Sequence, residues 1–240
     1  MAERAAIITG GSSGIGLAIA RMLGQDGYGL TVSARRPEKL EEAVAGLREE
    51  GFEVHTVAAN MANEEDIKRI ASEHEEKFGR LDVLVNNAGV GIGGLIHDAE
   101  TKKLDMQLDV NLRAVYLMTR DCVPLLRAAG KEHGKALIVN TASIAGKFGQ
   151  AGLAMYSATK FGVVGLSQAT QQEYGPEGIT CTALCPGFVA TPMTDWVEGE
   201  VPKDEMIQPE DIAAGVRFLL GTSKNCVVPE IQFLRPSDKM

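Results

Sequence analysis

Residues 8–16 read ITGGSSGIG, and no other stretch limits the possible folds as tightly. Gly10, Gly11, Gly14 and Gly16 follow the apolar run RAAIIT (4–9) and precede an amphipathic pattern over 14–25. The apolar run predicts a buried strand, and the 3.6-residue pattern after it predicts a helix. Glycines at that junction allow a sharp strand-to-helix turn and a close backbone approach to a ligand. The G-x-x-x-G-x-G spacing suits an anion. Backbone N–H groups of Gly10, Ser12, Ser13, Gly14, Ile15 and Gly16 approach it there, and the helix N-terminus adds partial positive charge.

The rest of the chain repeats this unit. Strands are predicted at 4–9, 29–34, 52–59, 81–86, 135–141, 179–185 and 230–234. Helical patterns lie between them, near 14–25, 37–50, 63–78, 99–129, 157–174 and 209–220. Strands alternating with helices imply a parallel sheet covered on both faces, and continuous apolar strands suit that burial. Right-handed crossovers then give an α/β, Rossmann-like, doubly wound sheet of seven strands. No linker, repeat or low-complexity segment divides residues 1–240, so one dinucleotide-binding domain is expected. The stretch 187–208 lacks strong periodicity and reads as a functional loop over a binding site.

Composition removes several function classes. A formal net charge of −8 argues against non-specific binding to nucleic acid or an anionic membrane. No apolar stretch approaches 18 residues, and the N-terminus runs directly into a strand, so a cytoplasmic location is expected. Cys122, Cys181, Cys185 and Cys226 form no C-x-x-C pair. Cys181 and Cys185 share a predicted strand, which separates them by roughly 13 Å at about 3.3 Å per residue, too far for a disulfide. All four are read as reduced packing cysteines. With only four His, none near these cysteines, no metal site is expected.

The dinucleotide type is read about 20 residues after the turn. A carboxylate at the end of the second strand holds a ribose 2′-OH in NAD binders. Here the residues are Ser33, Ala34, Arg35 and Arg36, with no carboxylate before Glu38. Arg35 and Arg36 suit a 2′-phosphate through charge-assisted contacts, so NADP(H) is expected, with NAD(H) as the alternative.

Tyr156 and Lys160 stand four residues apart in AMYSATKFG (154–162), on one face of a predicted helix. A free Tyr, pKa about 10, is poorly poised at neutral pH, and a neighbouring cation favours its anion. The pair alone decides nothing. The whole set does: TGGSSGIG, NNAG (86–89), Asn111, Ser143, YSATK and PGFVAT (186–191) occur in one order. Together they resemble the short-chain dehydrogenase/reductases, in the simple single-domain form, over about residues 5–220.

The resemblance implies roles. Tyr156 would be the general acid/base, Lys160 would hold the nicotinamide ribose and lower the Tyr156 pKa, and Ser143 would hydrogen-bond the substrate oxygen. Asn111 would anchor a water that passes protons to Lys160. Asn86, Asn87, Ala88 and Gly89 would line the adenosine side and steady the fourth strand, with Asn60 and Met61 nearby. Where relatives often carry Asp to meet the adenine amino group, this chain has Asn60, whose side-chain oxygen is expected to accept that bond. Asn63 with Asp66 is expected to cap the next helix. Pro186, Gly187, Val189 and Thr191 would grip the nicotinamide.

The expected activity is NADP(H)-dependent reduction of a carbonyl to an alcohol, or the reverse, with a small-molecule substrate. Phe148, Phe188, Met193 and Trp196 are the candidates for an apolar substrate pocket. One alternative is a 3-oxoacyl-carrier-protein reductase. Glu177 weakens it, because relatives of that type often carry Arg there. A sugar-nucleotide epimerase is disfavoured by glycine spacing and a short C-terminal part, and a non-catalytic dinucleotide sensor by the intact Tyr, Lys, Ser and Asn. A homotetramer or homodimer is implied, with helix 99–129 and the Tyr156 helix as contact surfaces. The C-terminal VVPEIQFLRPSDKM departs from the relatives' ending and puts that assembly in doubt.

Overall fold

The computed structural model describes residues 3–197, 199 and 201–238, with the backbone alone for Trp196. The elements are β1 (Arg4–Thr9), α1 (Gly14–Gln25), β2 (Tyr28–Ala34), α2 (Pro37–Glu49), β3 (Val54–Ala58), α3 (Glu64–Phe78) and β4 (Val83–Asn86). Then follow α4 (Thr101–Leu108), α5 (Ala114–His133), β5 (Ala136–Thr141), α6 (Ala154–Tyr174), β6 (Ile179–Pro186), α7 (Pro209–Gly221) and β7 (Glu230–Phe233). All seven strands pair in parallel, in the order β3-β2-β1-β4-β5-β6-β7. The order reverses between β1 and β4, and a crevice opens there beyond the strand C-termini.

The two sheet faces bury separate cores. One packs Ile8, Leu30, Val85 and Val139 against α1, α2 and α7. The other packs Ile7, Leu84 and Ile138 against α3 and α5. Successive residues of one strand serve opposite cores, as the two-residue period of a strand requires. Local signals end several elements. Asn63 Oδ1 accepts from Glu65 N and Asp66 N to start α3, as expected. Gly79 (φ +67) and Gly134 (φ +72) follow α3 and α5 in the left-handed region that glycine tolerates. Among the described residues, no helix is long and apolar enough to cross a membrane.

Three expectations change. The single helix 99–129 is instead α4, a π-helical turn over Asp109–Arg113, and α5. A π turn widens the spiral by one residue, and Asn111 sits in it. The helix expected from 157 begins at Ala154, so Tyr156 lies in its first turn; Leu153, at the cap position, has no side-chain acceptor to mark that start. Finally, Cys122, Cys181 and Cys185 are buried thiols, but Cys226 is exposed and packs no core.

Candidate active site

The crevice is a cavity of about 1290 Å³ that runs from the glycine turn, past Tyr156, to Met193 and the C-terminal residues Leu234 and Asp238. Its floor exists because three glycines carry no side chain. A Cβ on Gly10 would lie 2.8 Å from Ala88 Cα, and one on Gly14 2.7 Å from Thr191 Cγ2. A Cβ on Gly16 would lie 2.4 Å from Gly10 O and 2.6 Å from Asn87 Nδ2. The turn is therefore pressed against the ends of β4 and β6. Hydrogen bonds hold it: Thr9 Oγ1 accepts from Asn87 N (3.0 Å) and Ala88 N (3.1 Å), and Asn87 Nδ2 donates to Gly10 O (3.3 Å). Ser13, at the cap position of α1, makes no side-chain cap bond, so the leading N–H groups of α1 stay open to an anion.

At the far rim, Arg35 and Arg36 line the cavity, exposed, with no hydrogen bond or ion pair from either guanidinium among the described residues. One sequence expectation stands and one needs correction here. Asn60 lines the cavity, but its Oδ1 accepts from Ala62 N (3.2 Å) within its own turn, while its N–H donates to Asp66 Oδ2 (2.8 Å). That oxygen has a second lone pair, so Asn60 keeps an acceptor facing the cavity. Asn86 lies away from the cavity altogether. Its Nδ2 donates to Asn140 Oδ1 (2.9 Å) and Thr119 Oγ1 (3.3 Å), so it ties β4 to β5 and α5. The one-residue step from Asn86 to Asn87 moves the side chain to the other side of the strand.

Four residues meet at the centre. Ser143 follows β5, and its Oγ accepts from Ala145 N (3.1 Å) and donates to Pro186 O (3.5 Å). Lys160 is buried, and its Nζ donates to Thr141 O at 2.7 Å and lies 5.6 Å from the centroid of the Tyr156 ring. Asn111 Oδ1 accepts from Val90 N and its Nδ2 donates to Val90 O, both at 2.8 Å; Nδ2 also donates to Thr159 Oγ1 at 3.3 Å. This amide clamps the loop after β4 to α6. Burial pushes the Lys160 ammonium down to about 8. Burial also raises the Tyr156 phenol above its ordinary value, against a lowering by its hydrogen bond with Ser143. The lowering of Tyr156 expected from Lys160 is not the net effect here: burial, which favours the neutral phenol, is the largest cause.

Phe148, Phe188 and Met193 all line the cavity, with Phe148 and Met193 about half exposed. Met193 and Tyr156 approach Gly91 from opposite neighbours: a Cβ there would lie 3.8 Å from Met193 Sδ and 3.9 Å from Tyr156 Cε2. Trp196 lies in the 3₁₀ turn Pro192–Val197, and its side chain is outside the described residues. The 187–208 loop is strapped at its base, where Ala190 N donates to Ile207 O (2.9 Å) and Ile207 N to Phe188 O (3.0 Å). Sequence reading missed Thr141, whose backbone oxygen holds Lys160 and leaves no signature in residue type. It also missed Leu234 and Asp238, which reach the cavity only because β7 adds at the sheet edge.

The residues present fit a phosphorylated dinucleotide: a cradle that any Cβ would fill, an open helix N-terminus, and two unpaired guanidinium groups at the distance of a second strand. Comparisons agree with that chemistry. The model of the family described as short chain dehydrogenase matches residues 4–200. A Streptomyces coelicolor protein named as a ketoacyl reductase is 37% identical over 94% of this chain and 93% of its own length. A 3-oxoacyl-acyl-carrier-protein reductase of Staphylococcus aureus is 34% identical over 90% of each chain. The solved structure of an actinorhodin polyketide ketoreductase with NADPH superposes with a TM-score of 0.87 at 34% identity, covering 97% of each chain.

Proposed function

Because this chain belongs to the short chain dehydrogenase family, we propose that its central cleft reduces a ketone to a secondary alcohol with NADPH, the ketone being of the 3-oxoacyl type. The carrying observation is the grouping of Ser143, Tyr156 and Lys160 around one end of a cavity whose other end is the glycine turn. Gly10, Ser12, Ser13, Gly14, Ile15, Gly16, Ala88 and Gly89 would hold the pyrophosphate and adenosine side, Arg35 and Arg36 a 2′-phosphate, and Pro186, Gly187, Val189 and Thr191 the nicotinamide side. When bound, the dinucleotide supplies the hydride.

This chain's own residues manage the oxygen. Ser143 Oγ and the Tyr156 phenol donate to the carbonyl oxygen and stabilise charge as it develops there. The Tyr156 phenol then gives up its proton, a step worth about 10²–10⁴ in rate for a positioned acid. The Lys160 cation beside the ring favours the phenolate that remains. Thr141 O fixes where that cation stands, and Asn111 fixes the loop above it. The raised phenol pKa keeps Tyr156 protonated at neutral pH, which favours the reducing direction.

The substrate class draws on the ketoacyl reductases among the relatives. A free small ketone is the second reading, favoured by one observation: Glu177 takes both Arg127 Nε and Nη2, so an acidic carrier protein meets a closed ion pair there and no free cation. NADPH consumption with acetoacetyl-coenzyme A and with cyclic ketones tests both readings. Turnover of the thioester supports the first, turnover of ketones alone supports the second, and turnover of neither removes the proposal. The whole chain acts as one domain on this reading. Assembly belongs to it too. Tyr116 on α5 (57% exposed) and Phe161 on α6 (46%) offer an apolar face for a second copy, which light scattering would detect. Four free thiols suit a cytoplasmic setting.

A further inference from the structure

The chain returns to the cavity after β7. Gly187 N donates to Phe233 O (2.9 Å), and Leu234 and Asp238 then line the cavity wall together with Gly187 and Phe188. The turn between them is closed by one carboxylate. Arg235 Nε and Nη2 donate to Asp238 Oδ1 at 3.0 and 2.7 Å, and Arg235 N donates to Oδ2 at 2.9 Å. Asp238 Oδ2 also lies 3.2 Å from where a Cβ on Gly187 would stand. The Arg235 guanidinium sits 5.6 Å from the centroid of the Phe188 ring. The pair is well covered, at 13% and 19% side-chain exposure, so water screens it less than a surface pair.

These contacts have a common effect. Phe188 follows Gly187 directly after β6, and the tail meets both: Gly187 through Phe233 O, and the Phe188 ring through Arg235. The tail thus braces an aromatic side chain and contributes an aliphatic one, Leu234, to the same wall.

We infer that the turn Leu234–Asp238 is a specificity wall of the carbonyl site: the Arg235–Asp238 pair holds Phe188 and Leu234 in place and so limits the bulk of the ketone admitted. This rests on the ketone reduction proposed above. Arg235 is a positioning residue, acting through Phe188. Removing either partner frees the wall and relaxes discrimination against bulky ketones, while the glycine turn at the far end of the cleft keeps its contacts.

The experiment compares the wild-type chain with R235A and D238A by two readouts. Amide hydrogen exchange is followed in peptides covering 186–189 and, as a control, 9–16. Steady-state kinetics are measured with NADPH on cyclohexanone and on the bulkier 2-tetralone. Both variants are expected to exchange faster at 186–189 and not at 9–16. The kcat/KM ratio of 2-tetralone to cyclohexanone should rise about tenfold, the scale of one altered contact in an apolar pocket. The readout is the ratio between the two ketones, because any loosening of the nicotinamide segment through Gly187 acts on both ketones alike and cancels in it. Unchanged exchange at 186–189 in both variants overturns the inference, as does faster exchange with an unchanged ratio. If the wild-type chain consumes no NADPH with either ketone or with acetoacetyl-coenzyme A, the ketone-reduction reading fails separately. The exchange comparison still decides whether the tail holds Phe188.

Discussion

The Lys160 ammonium stands 5.6 Å from the centroid of the Tyr156 ring and is anchored by Thr141 O at 2.7 Å. Both side chains are desolvated, and burial drives each toward its neutral form: Tyr156 upward, Lys160 down to about 8. The couple is thus set for reduction, with a protonated phenol and a cation that is present at neutral pH and lost in mild alkali.

That setting predicts a pH profile. For ketone reduction, kcat/KM should hold steady near neutrality and fall as pH rises through about 8, where Lys160 loses its proton. K160R keeps a cation at all accessible pH values, so any activity it retains should lack that alkaline limb. Y156F should lose about 10²–10⁴ in kcat with NADPH binding retained, the contribution of a positioned acid. A Y156F enzyme with wild-type turnover removes Tyr156 from the chemistry.

Arg35 stands exposed at the rim of the cleft with no partner for its guanidinium among the described residues. R35A should raise the KM for NADPH about 10- to 100-fold, the worth of a charge-assisted hydrogen bond, and leave that for NADH nearly unchanged. Initial-rate measurements with both cofactors check this. Preference of the wild-type chain for NADH contradicts the 2′-phosphate reading.

Gly16 has no room for even a methyl group, with Gly10 O 2.4 Å from the Cβ position. G16A should force the glycine turn away from Asn87. The expected cost is about 1–3 kcal/mol of stability, typical of an overpacked site, together with loss of NADPH binding. Urea unfolding and a fluorescence titration with NADPH measure the two effects. Retained NADPH affinity in a folded G16A chain shows that the turn does not hold the cofactor.

His74 gives the fold an acid limit. It is fully buried; its Nε2–H donates to Arg80 O (2.8 Å), so its Nδ1 accepts from Thr31 Oγ1 (2.7 Å). Burial pushes its pKa down to about 4 from an ordinary 6.5. The folded state binds this proton less readily than the unfolded one. The associated stability, about 3 kcal/mol, is therefore present above pH 6.5 and lost as pH falls toward 4. Urea midpoints measured between pH 7.5 and 5 should fall in the wild-type chain and change less in H74Q. Equal slopes in the two proteins exclude His74 as the cause.

The sequence by itself determined the alternation of strands and helices, because apolar period and glycine position are local properties that the neighbouring residues do not overrule. It also singled out the candidate site, Gly14, Tyr156 and Lys160 by spacing and Ser143 by resemblance, and the fold brings all four to one cavity. Tertiary structure decided what spacing cannot express. Asn86 is drawn away from the cavity to Asn140 and Thr119, because a buried polar side chain must find its partners where the fold places them. The π turn that interrupts the helical pattern at Asn111 accompanies a clamp onto Val90, 21 residues away, which no local spacing announces. The direction of the Tyr156 shift is set by how much water the assembled cleft excludes, and the return of Arg235 and Asp238 to the cavity by the strand that β7 adds beside β6. Burial and long-range contact are properties of the folded chain, which is why those features became legible only there.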